Sequence, residues 1–195
     1  KKLLKNCRIL ALIPAKAKSL GLKNKNLKLM NKKPLIYWPI KAAKKSKFVN
    51  RVVVSTDSTK IMNKANKFGA LTPFLRPKRL SQPNSKTIDC VFHCLNFFKK
   101  QRIFFDYIVL LEPTSPLTTY KDINSALKRL HNNSSGASSI VGVSKNISHH
   151  PSFLIKISKN GKIKPFFKKI SAVRRQDLKP NYFLDGSIYI SKVND

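Results

Sequence analysis

An apolar run at residues 9–13 ends at Pro14 and leads directly into a lysine-rich loop. The run reads Ile-Leu-Ala-Leu-Ile, which is typical of a buried β-strand. In open α/β sheets, ligands bind outside the carboxyl ends of the strands, where ammonium and backbone N–H groups neutralise phosphate oxygens. The sequence therefore predicts a polyphosphate-binding loop in an α/β fold, and a solvated basic loop is the alternative. The lysines of this loop are Lys16, Lys18, Lys23 and Lys25.

Apolar runs alternate with segments of helical periodicity over the first 143 residues. At this spacing the alternation predicts a largely parallel sheet with helices on both faces, a three-layer α/β/α fold. A chain of 195 residues is expected to form a single domain, 1–195. Strands are predicted at 51–57, 70–75, 106–112 and 138–143. Helices are predicted from Pro34, at 60–68, at 87–100 with Thr87 or Ser85 as the N-cap, and from Asp122.

The alternation ends after Ser144. Two strand-like segments, 153–158 and 162–167, flank Asn160-Gly161, a dipeptide that is a strong signal for a β-hairpin. We interpret residues 144–169 as a hairpin arm inserted into the α/β pattern. Such an arm either packs on its own domain or reaches a partner subunit. A last strand at 187–191 is predicted to return to the sheet.

The chain is strongly basic, with 40 Lys and Arg against 8 Asp and Glu, for a net charge of +32. A basic nucleic-acid-binding protein is one interpretation of this charge. The lysines are scattered over almost every segment, however, which favours a general compositional bias and argues against nucleic acid as a partner. Any carboxylate needed for metal or proton chemistry must come from a short set: Asp57, Asp89, Asp106, Glu112, Asp122, Asp177, Asp185 and Asp195.

The three cysteines, Cys7, Cys90 and Cys94, do not have the spacing of a zinc site. We expect half-buried thiols in a reducing compartment. His93 is expected to be a packed or half-exposed side chain rather than a ligand. No apolar run is long enough to span a bilayer, and the apolar segment that ends at Pro14 is short for a signal peptide. The expectation is a cytoplasmic protein that does not bind membranes.

Eight motifs occur along the chain in a fixed order. They include Val-Val-Ser-Thr-Asp at 53–57, Leu-Glu-Pro-Thr-Ser-Pro-Leu at 111–117 and Asp-Gly-Ser-Ile-Tyr-Ile at 185–190. The others lie at 11–27, 33–36, 74–77, 149–151 and 174–178. Through these motifs the chain, from about residue 9 to residue 190, resembles the acylneuraminate cytidylyltransferases, the CMP–sialic acid synthetases. The first loop matches neither the P-loop nor the Rossmann pattern.

The resemblance implies a nucleotidyltransferase-like fold and a defined reaction. CMP would pass from CTP to a nonulosonic acid, a nine-carbon 2-keto sugar acid such as sialic, legionaminic or pseudaminic acid, with release of pyrophosphate. Mg²⁺ or Mn²⁺ would neutralise the phosphates, and the product would enter biosynthesis of a lipopolysaccharide or capsule. The resemblance also implies a homodimer in which the arm at 144–169 reaches the active site of the other subunit.

The resemblance further implies which residues bind the substrates. The predicted catalytic cations are Lys16 and Lys25, because both can stabilise the charge on the reacting phosphate. The sugar acid would contact Glu112, Arg175 and Tyr189, and Arg175 can bind a carboxylate through two hydrogen bonds. The residues expected to bind CTP are Ala15, Lys16, Lys18, Ser19, Gly21, Lys25, Asn26, Arg76, Ser85 and Thr87, of which the last three would contact the cytidine.

The chain departs from the family pattern in the phosphate loop and at the metal site. Lys16 replaces an arginine, Ala17 and Lys18 replace glycines, Leu20 replaces a lysine, and Glu112 stands where glutamine is usual. Family members continue beyond the position of Asp195 into a segment with metal-binding aspartates. Asp185 and Asp57 are proposed as metal ligands instead, and the alternative for Asp57 is the N-cap of the following helix.

Three other functions stay open at this point. A catalytically impaired relative would bind nucleotide without turnover. A cytidylyltransferase for 3-deoxy-manno-octulosonate would share the reaction but use another sugar acid. A basic nucleic-acid-binding protein would show affinity that falls steeply with salt and no preference for CTP.

Overall fold

The computed structural model describes residues 3–18, 21–146, 150–167, 174, 176 and 178–193. The chain forms two compact units, Lys1–Val141 with Gly186–Asp195, and Gly142–Asp185. The described strands are β1 (Ile9–Pro14), β2 (Leu29–Met30), β3 (Lys33–Pro34), β4 (Arg51–Ser55), β5 (Tyr107–Leu110), β6 (Ser139–Lys145), β7 (Ile155–Ile157), β8 (Ile163–Pro165) and β9 (Tyr182–Lys192). The described α-helices are α1 (Tyr37–Lys45), α2 (Thr59–Lys67), α3 (Thr87–Lys99) and α4 (Tyr120–Asn132).

A five-stranded sheet has the order β4-β1-β5-β9-β6, and its strands β1, β4 and β5 lie in the first unit. Strand β1 pairs in parallel with β4 on one side and with β5 on the other. Strand β9 then pairs antiparallel with β5. The mainly parallel sheet places the carboxyl ends of β1, β4 and β5 at the same edge, which is where the polar loops begin. The predicted α/β fold is confirmed.

The two faces of β1 explain why its sequence is apolar throughout. Ile9, Ala11 and Ile13 belong to a core cluster that also contains residues of α1, α2 and α4. Leu10 and Leu12 belong to a second cluster with α3. All five side chains are fully buried. Because helices cover both faces, the strand carries no solvent-exposed polar side chain.

The predicted helices exist, but their first turns differ from the expectations. Pro34 lies in β3, and α1 begins three residues later at Tyr37. The N-cap of α2 is Ser58, whose side chain accepts a hydrogen bond from the Ile61 amide at 3.4 Å. The N-cap alternative for Asp57 is therefore wrong, because Ser58 caps the helix and the Asp57 carboxylate accepts a hydrogen bond from the distant amide of Ala17.

The start of α3 also corrects the sequence prediction. Lys86 occupies its N-cap position and no side chain caps the helix, so neither Thr87 nor Ser85 is the cap. The Ser85 hydroxyl donates instead to the carbonyl of Arg79 at 2.9 Å. By contrast, α4 starts at a complete capping box formed by Thr119 and Asp122.

The segment predicted as a strand at 70–75 makes only one bridge to the sheet, between Leu71 and Val53. The Leu71 amide donates to the Val52 carbonyl, and the Leu71 carbonyl accepts from the Val54 amide. Pro73 follows two residues later and has no N–H group to donate, which limits further pairing. The strand prediction for 70–75 is therefore wrong beyond this single position.

The second unit, Gly142–Asp185, contains the predicted hairpin. Strands β7 and β8 pair antiparallel, and Ile157 lies opposite Ile163. Gly161 has a φ of +79°, which its lack of a Cβ permits without strain. The described residues of both strands are exposed on both faces. The final strand β9 begins at Tyr182, earlier than the predicted 187–191, and has residues in both units.

Among the described residues, none of the helices combines the length and the apolar character that a membrane span needs.

Candidate active site

The loop after β1 is held from two sides by side chains of other segments. The Ala15 amide donates to the Ser55 carbonyl at 2.9 Å, which continues the β1–β4 pairing by one residue. The Ala17 amide donates to the Asp57 carboxylate at 2.7 Å. The Asn26 side-chain amide donates to the Lys16 carbonyl at 2.9 Å. The lysine-rich loop is therefore fixed at Lys16 and Ala17.

Lys25 lies on a short 3-10 helix, Lys25–Leu27. Asn24 precedes it with a φ of +54°, a left-handed conformation that asparagine tolerates better than most residues. Asn26 is buried, and its backbone carbonyl accepts from the Ile36 amide at 3.1 Å. Lys25 is half-buried next to this fixed residue. The turn therefore places one cation on a rigid support.

Arg76 is buried, with 4% of its surface exposed. Its backbone amide donates to the Thr56 carbonyl at 2.7 Å. In the guanidinium group, Nη1 donates to the Cys90 sulfur at 2.8 Å, and Nη2 lies 4.0 Å from the Asp57 carboxylate. Within the described part of the chain, Nε and Nη2 have no hydrogen-bond partner. Buried donors in this state are rare, and a bound ligand is one way to satisfy them.

These elements surround a cavity of about 110 Å³ at the carboxyl ends of β1 and β5. Seven residues of the predicted substrate-binding set line it together, although they come from four separate stretches of the sequence. The complete lining is Pro14, Lys16, Lys25, Asn26, Arg76, Leu80, Ser85, Thr87, Cys90, Glu112 and Pro113. A cavity with three cations and several hydrogen-bonding side chains can bind a phosphorylated nucleoside.

Glu112 is the one acidic residue in this lining. Burial raises the pKa of its carboxyl group above the ordinary value, while Lys25 and then Arg76 act to lower it. The effect of burial exceeds that of the two cations, so the carboxyl group keeps its proton to a higher pH than an exposed glutamate does. In its neutral form Glu112 can donate one hydrogen bond, as a glutamine side chain at the same place would.

A second cavity, of about 800 Å³, adjoins the first because Lys16 lines both. Lys18 and Asp57 are also part of its lining. Ala15 is fully buried behind the loop. Gly21 is exposed and lines neither cavity. Two residues of the predicted set, Ser19 and Arg175, lie outside the described residues.

Tyr189 and Asp185 are not brought into the lining of the 110 Å³ cavity. Tyr189 lines another cavity, of about 430 Å³, between α3 and the β5–β9 strands, and Thr87 borders both cavities. Asp185 belongs to the second unit, where its carboxylate accepts a hydrogen bond from the Ser144 hydroxyl at 2.9 Å. The substrate and metal roles of these two residues stay predictions.

The cysteines are more deeply buried than predicted. Cys7, Cys90 and Cys94 are 4%, 2% and 0% exposed, so the expectation of half-buried thiols is wrong. The reason is that Cys94 faces the core between α3 and the sheet, where burial raises its thiol pKa to about 12. His93 is half-buried as predicted, and its ring packs edge-on against Phe74 at 4.6 Å. Burial, followed by Arg79 and Arg76, lowers the pKa of His93.

Sequence reasoning missed Cys90 as a residue of the site. The sequence predicts only a half-buried thiol at Cys90, yet this residue lines the cavity together with Thr87. The signal that could have identified it is its spacing, because residues three apart on a helix lie on the same face. Leu80, Pro14 and Pro113 are the other lining residues that were not predicted.

Comparison with known proteins identifies the family. A family model described as "Cytidylyltransferase" matches residues 10–188. The chain belongs to this family. It is therefore a nucleotidyltransferase, and the resemblance inferred from the ordered motifs is confirmed.

Two curated relatives match nearly the whole chain. The chain is 39% identical to a CMP-N,N'-diacetyllegionaminic acid synthase of Legionella pneumophila over 186 residues, covering 94% of this chain and 78% of the relative. It is 30% identical to an N-acylneuraminate cytidylyltransferase of Escherichia coli over 184 residues. That match covers 94% of this chain but 42% of the relative, so the chain spans less than half of the longer protein.

Solved structures show the same fold. A structure of CMP:2-keto-3-deoxy-manno-octonic acid synthetase complexed with CTP aligns with a TM-score of 0.68. The alignment covers 95% of this chain and 74% of that chain. The two sequences are 18% identical, so the match supports the nucleotidyltransferase fold and does not identify the sugar acid.

Proposed function

We propose that this chain transfers CMP from CTP to a nonulosonic acid and releases pyrophosphate. The observation that carries the proposal is the cavity in which Lys16, Lys25 and Arg76 meet at the carboxyl ends of the parallel strands. The L. pneumophila relative supports a diacetylated legionaminic acid as the first sugar acid to test. Sialic and pseudaminic acids are the other candidates. Because CTP is the donor, we place the reaction in the cytoplasm.

The chain's own residues would act mainly by positioning and by charge neutralisation, as in other phosphoryl transfers. The anomeric hydroxyl oxygen of the sugar acid would attack the α-phosphorus of CTP, and the bond from this phosphorus to the oxygen that bridges to the β-phosphorus would break. Pyrophosphate would leave, and the hydroxyl proton would pass to solvent. Lys16 and Lys25 would neutralise the negative charge on the phosphate oxygens during this step. Arg76 and Thr87 would donate hydrogen bonds to the cytidine part, and the Ser85 hydroxyl, which donates to the Arg79 carbonyl, would accept one. Asn26 holds the loop at Lys16.

A divalent metal such as Mg²⁺ fits beside the phosphate loop through one carboxylate. Mg²⁺ often binds to one or two carboxylates together with substrate phosphates. Asp57 borders the 800 Å³ cavity, and one of its oxygens accepts from Ala17, which leaves the other for a cation. The described residues contain no cluster of three or more His, Cys, Asp or Glu that would form a complete metal site. When bound, the metal would neutralise phosphate charge, and Asp57 is our proposed ligand.

The second unit supports the proposal of a homodimer. Its described residues expose many large apolar side chains, and an exposed apolar surface of this kind is typical of an interaction site. They are Val143, Phe153, Leu154, Ile155, Ile157, Ile163, Phe166, Phe167, Tyr182, Phe183 and Leu184. Light scattering should give twice the mass of the chain. The double variant Ile157→Lys/Phe166→Lys should give the single mass, and an unchanged mass would contradict a role for this surface.

Pyrophosphate release and product mass test the function directly. The protein is incubated with CTP, Mg²⁺ and each of the three sugar acids, and a CMP-sugar peak identifies the substrate. Lys25→Ala should lower kcat/KM roughly 100-fold or more, because it removes a cation from the reacting phosphate. Lys28→Ala is the matched control, since Lys28 is exposed and lines neither cavity of the loop. Its kcat/KM should stay within about twofold.

Other outcomes of the same experiment would favour the other functions. CTP binding without pyrophosphate release from any of the sugar acids would indicate an impaired relative. Turnover with 3-deoxy-manno-octulosonate alone would change the sugar acid but keep the reaction. Binding to DNA that falls steeply with salt, without preference for CTP, would contradict the enzyme proposal.

A further inference from the structure

Cys90 contributes the only sulfur atom to the described lining of the 110 Å³ cavity. It lies in the first turns of α3 and is 2% exposed. Its sulfur accepts a hydrogen bond from Arg76 Nη1 at 2.8 Å and lies 3.9 Å from the Leu80 carbonyl. The thiol therefore interacts with the most buried cation of the site.

The remaining donors of Arg76 make no hydrogen bond to the described residues, although Nη2 forms a 4.0 Å ion pair with Asp57. A guanidinium group has five N–H donors in a fixed plane, so fixing one nitrogen largely fixes the direction of the others. Nη1 is held by the sulfur, while Nε and Nη2 are buried without a hydrogen-bond partner in the described part of the chain. Arg76 itself lines the cavity. The thiol contact thus fixes which edge of Arg76 is left for a ligand.

Arg76 also connects the cavity to the phosphate loop. Its Nη2 lies 4.0 Å from the Asp57 carboxylate, and the same carboxylate oxygen accepts from the Ala17 amide at 2.7 Å. A sequence of contacts therefore runs from Cys90 through Arg76 and Asp57 to Ala17. A shift of the Arg76 guanidinium would change which of its N–H donors are available in the cavity. It would also change the distance from Nη2 to the Asp57 carboxylate, which holds the loop at Ala17.

We propose that Cys90 is a positioning residue for CTP. Its sulfur holds the Arg76 guanidinium so that Nε and Nη2 stay available to acceptor atoms of the bound nucleotide. The inference rests on the proposed function, because CTP is taken as the ligand. A cysteine that serves only to pack α3 would not affect nucleotide binding.

Cys90→Val and Cys90→Ser separate these two roles. Valine is close to cysteine in size but cannot accept the hydrogen bond from Arg76, whereas the serine hydroxyl can. Cys94→Val is the matched control, because Cys94 lies one turn further on the same helix, is fully buried, and does not line the cavity. The melting temperature of each variant reports packing, and calorimetric Kd and KM for CTP report positioning.

Loss of a hydrogen bond to a charged group should raise the Kd and the KM for CTP by roughly tenfold to a hundredfold in Cys90→Val. The kcat value should stay within about threefold, because Cys90 acts through binding. Cys90→Ser should recover most of the affinity, and Cys94→Val should bind CTP like the wild type. If Cys90→Val does not fold, Cys90→Ala removes the same acceptor without adding volume.

The possible failures are distinguishable. A wild-type protein that does not bind CTP would overturn the proposed function and this inference together. A wild-type protein that binds CTP, with Cys90→Val and Cys90→Ala of equal affinity, would overturn the inference alone. An equal loss in Cys90→Ser and Cys94→Val would assign the effect to packing and would also overturn it.

Discussion

Replacing Gly186 by alanine should destabilise the first unit, because this residue has a left-handed backbone inside a strand. Gly186 lies in β9 with a φ of +72°. At this point β9 is hydrogen-bonded to the loop that follows β5. The Ser115 hydroxyl donates to the Gly186 carbonyl at 3.0 Å, and the Thr118 hydroxyl donates to the Ser187 carbonyl at 3.1 Å. This loop begins beside Glu112, so the two hydrogen bonds support one wall of the cavity.

The size of the effect follows from the geometry. An added Cβ would lie 3.9 Å from the Ser115 hydroxyl oxygen, an ordinary van der Waals contact that adds no steric cost. The left-handed backbone alone costs a non-glycine residue about 1–2 kcal/mol. For a chain of this size, each kcal/mol lowers the melting temperature by about 2–4 °C. We therefore expect Gly186→Ala to melt about 2–8 °C below the wild type.

Thermal unfolding followed by circular dichroism tests this value. Gly21→Ala is the matched control, because Gly21 has open space around it and is not in the left-handed region. It should melt at or slightly above the wild-type temperature. Gly186→Asn should lie between, since asparagine tolerates this region better than alanine. A Gly186→Ala protein that melts within about 0.5 °C of wild type would refute the strain argument.

Three further changes test other parts of the structure. Thr119→Ala removes the N-cap of α4 and should lower the free energy of unfolding by about 1 kcal/mol in urea titrations, and an unchanged midpoint would contradict the capping box. Tyr107→Phe breaks the buried 2.9 Å hydrogen bond to His131 Nδ1 and should lower the free energy of unfolding by about 1–3 kcal/mol. The double variant with His131→Leu should recover part of this loss, because no unpaired buried nitrogen would remain. Burial raises the pKa of Glu112, so the folded protein keeps this proton up to a higher pH than the unfolded chain does. The contribution of Glu112 to the free energy of unfolding should therefore fall as the pH rises from about 4.5 through the raised pKa. Glu112→Gln should lack this decline, and identical profiles of unfolding free energy against pH in both proteins would show that Glu112 is not the group responsible.

The central part of the fold could be predicted because its sequence signals are local. The run at 9–13 is apolar at every position since both faces of β1 are covered by helices. Asn160-Gly161 specifies the hairpin turn through the backbone of two residues. Local sequence signals alone could not decide whether residues 70–75 form a strand. Whether it pairs with β4 depends on a partner that is distant in sequence.

The candidate site was predictable to the extent that the parallel sheet determines it. Loops after β1 and β5 must meet at one edge, so Lys16, Lys25 and Glu112 reach the same cavity. The start of α2 was not predictable, because both Asp57 and Ser58 can cap a helix. The amide of Ala17, 40 residues away in the sequence, decides between them because it donates a hydrogen bond to the Asp57 carboxylate.

The substitutions in the phosphate loop bear on whether the enzyme is active. Ala17 and Lys18 stand where the family pattern has glycines, which would matter if the loop required a left-handed backbone there. The described non-glycine residues with positive φ are Asn24, Asn31, Lys32 and Arg102, and neither loop position is among them. The loop can therefore keep its conformation with ordinary side chains, since Asp57 and Asn26 hold it through the Ala17 amide and the Lys16 carbonyl. At positions 17 and 18 the substitutions thus change which groups are available to the phosphates rather than the backbone, so a distorted backbone at these two residues is not a reason to expect an impaired relative.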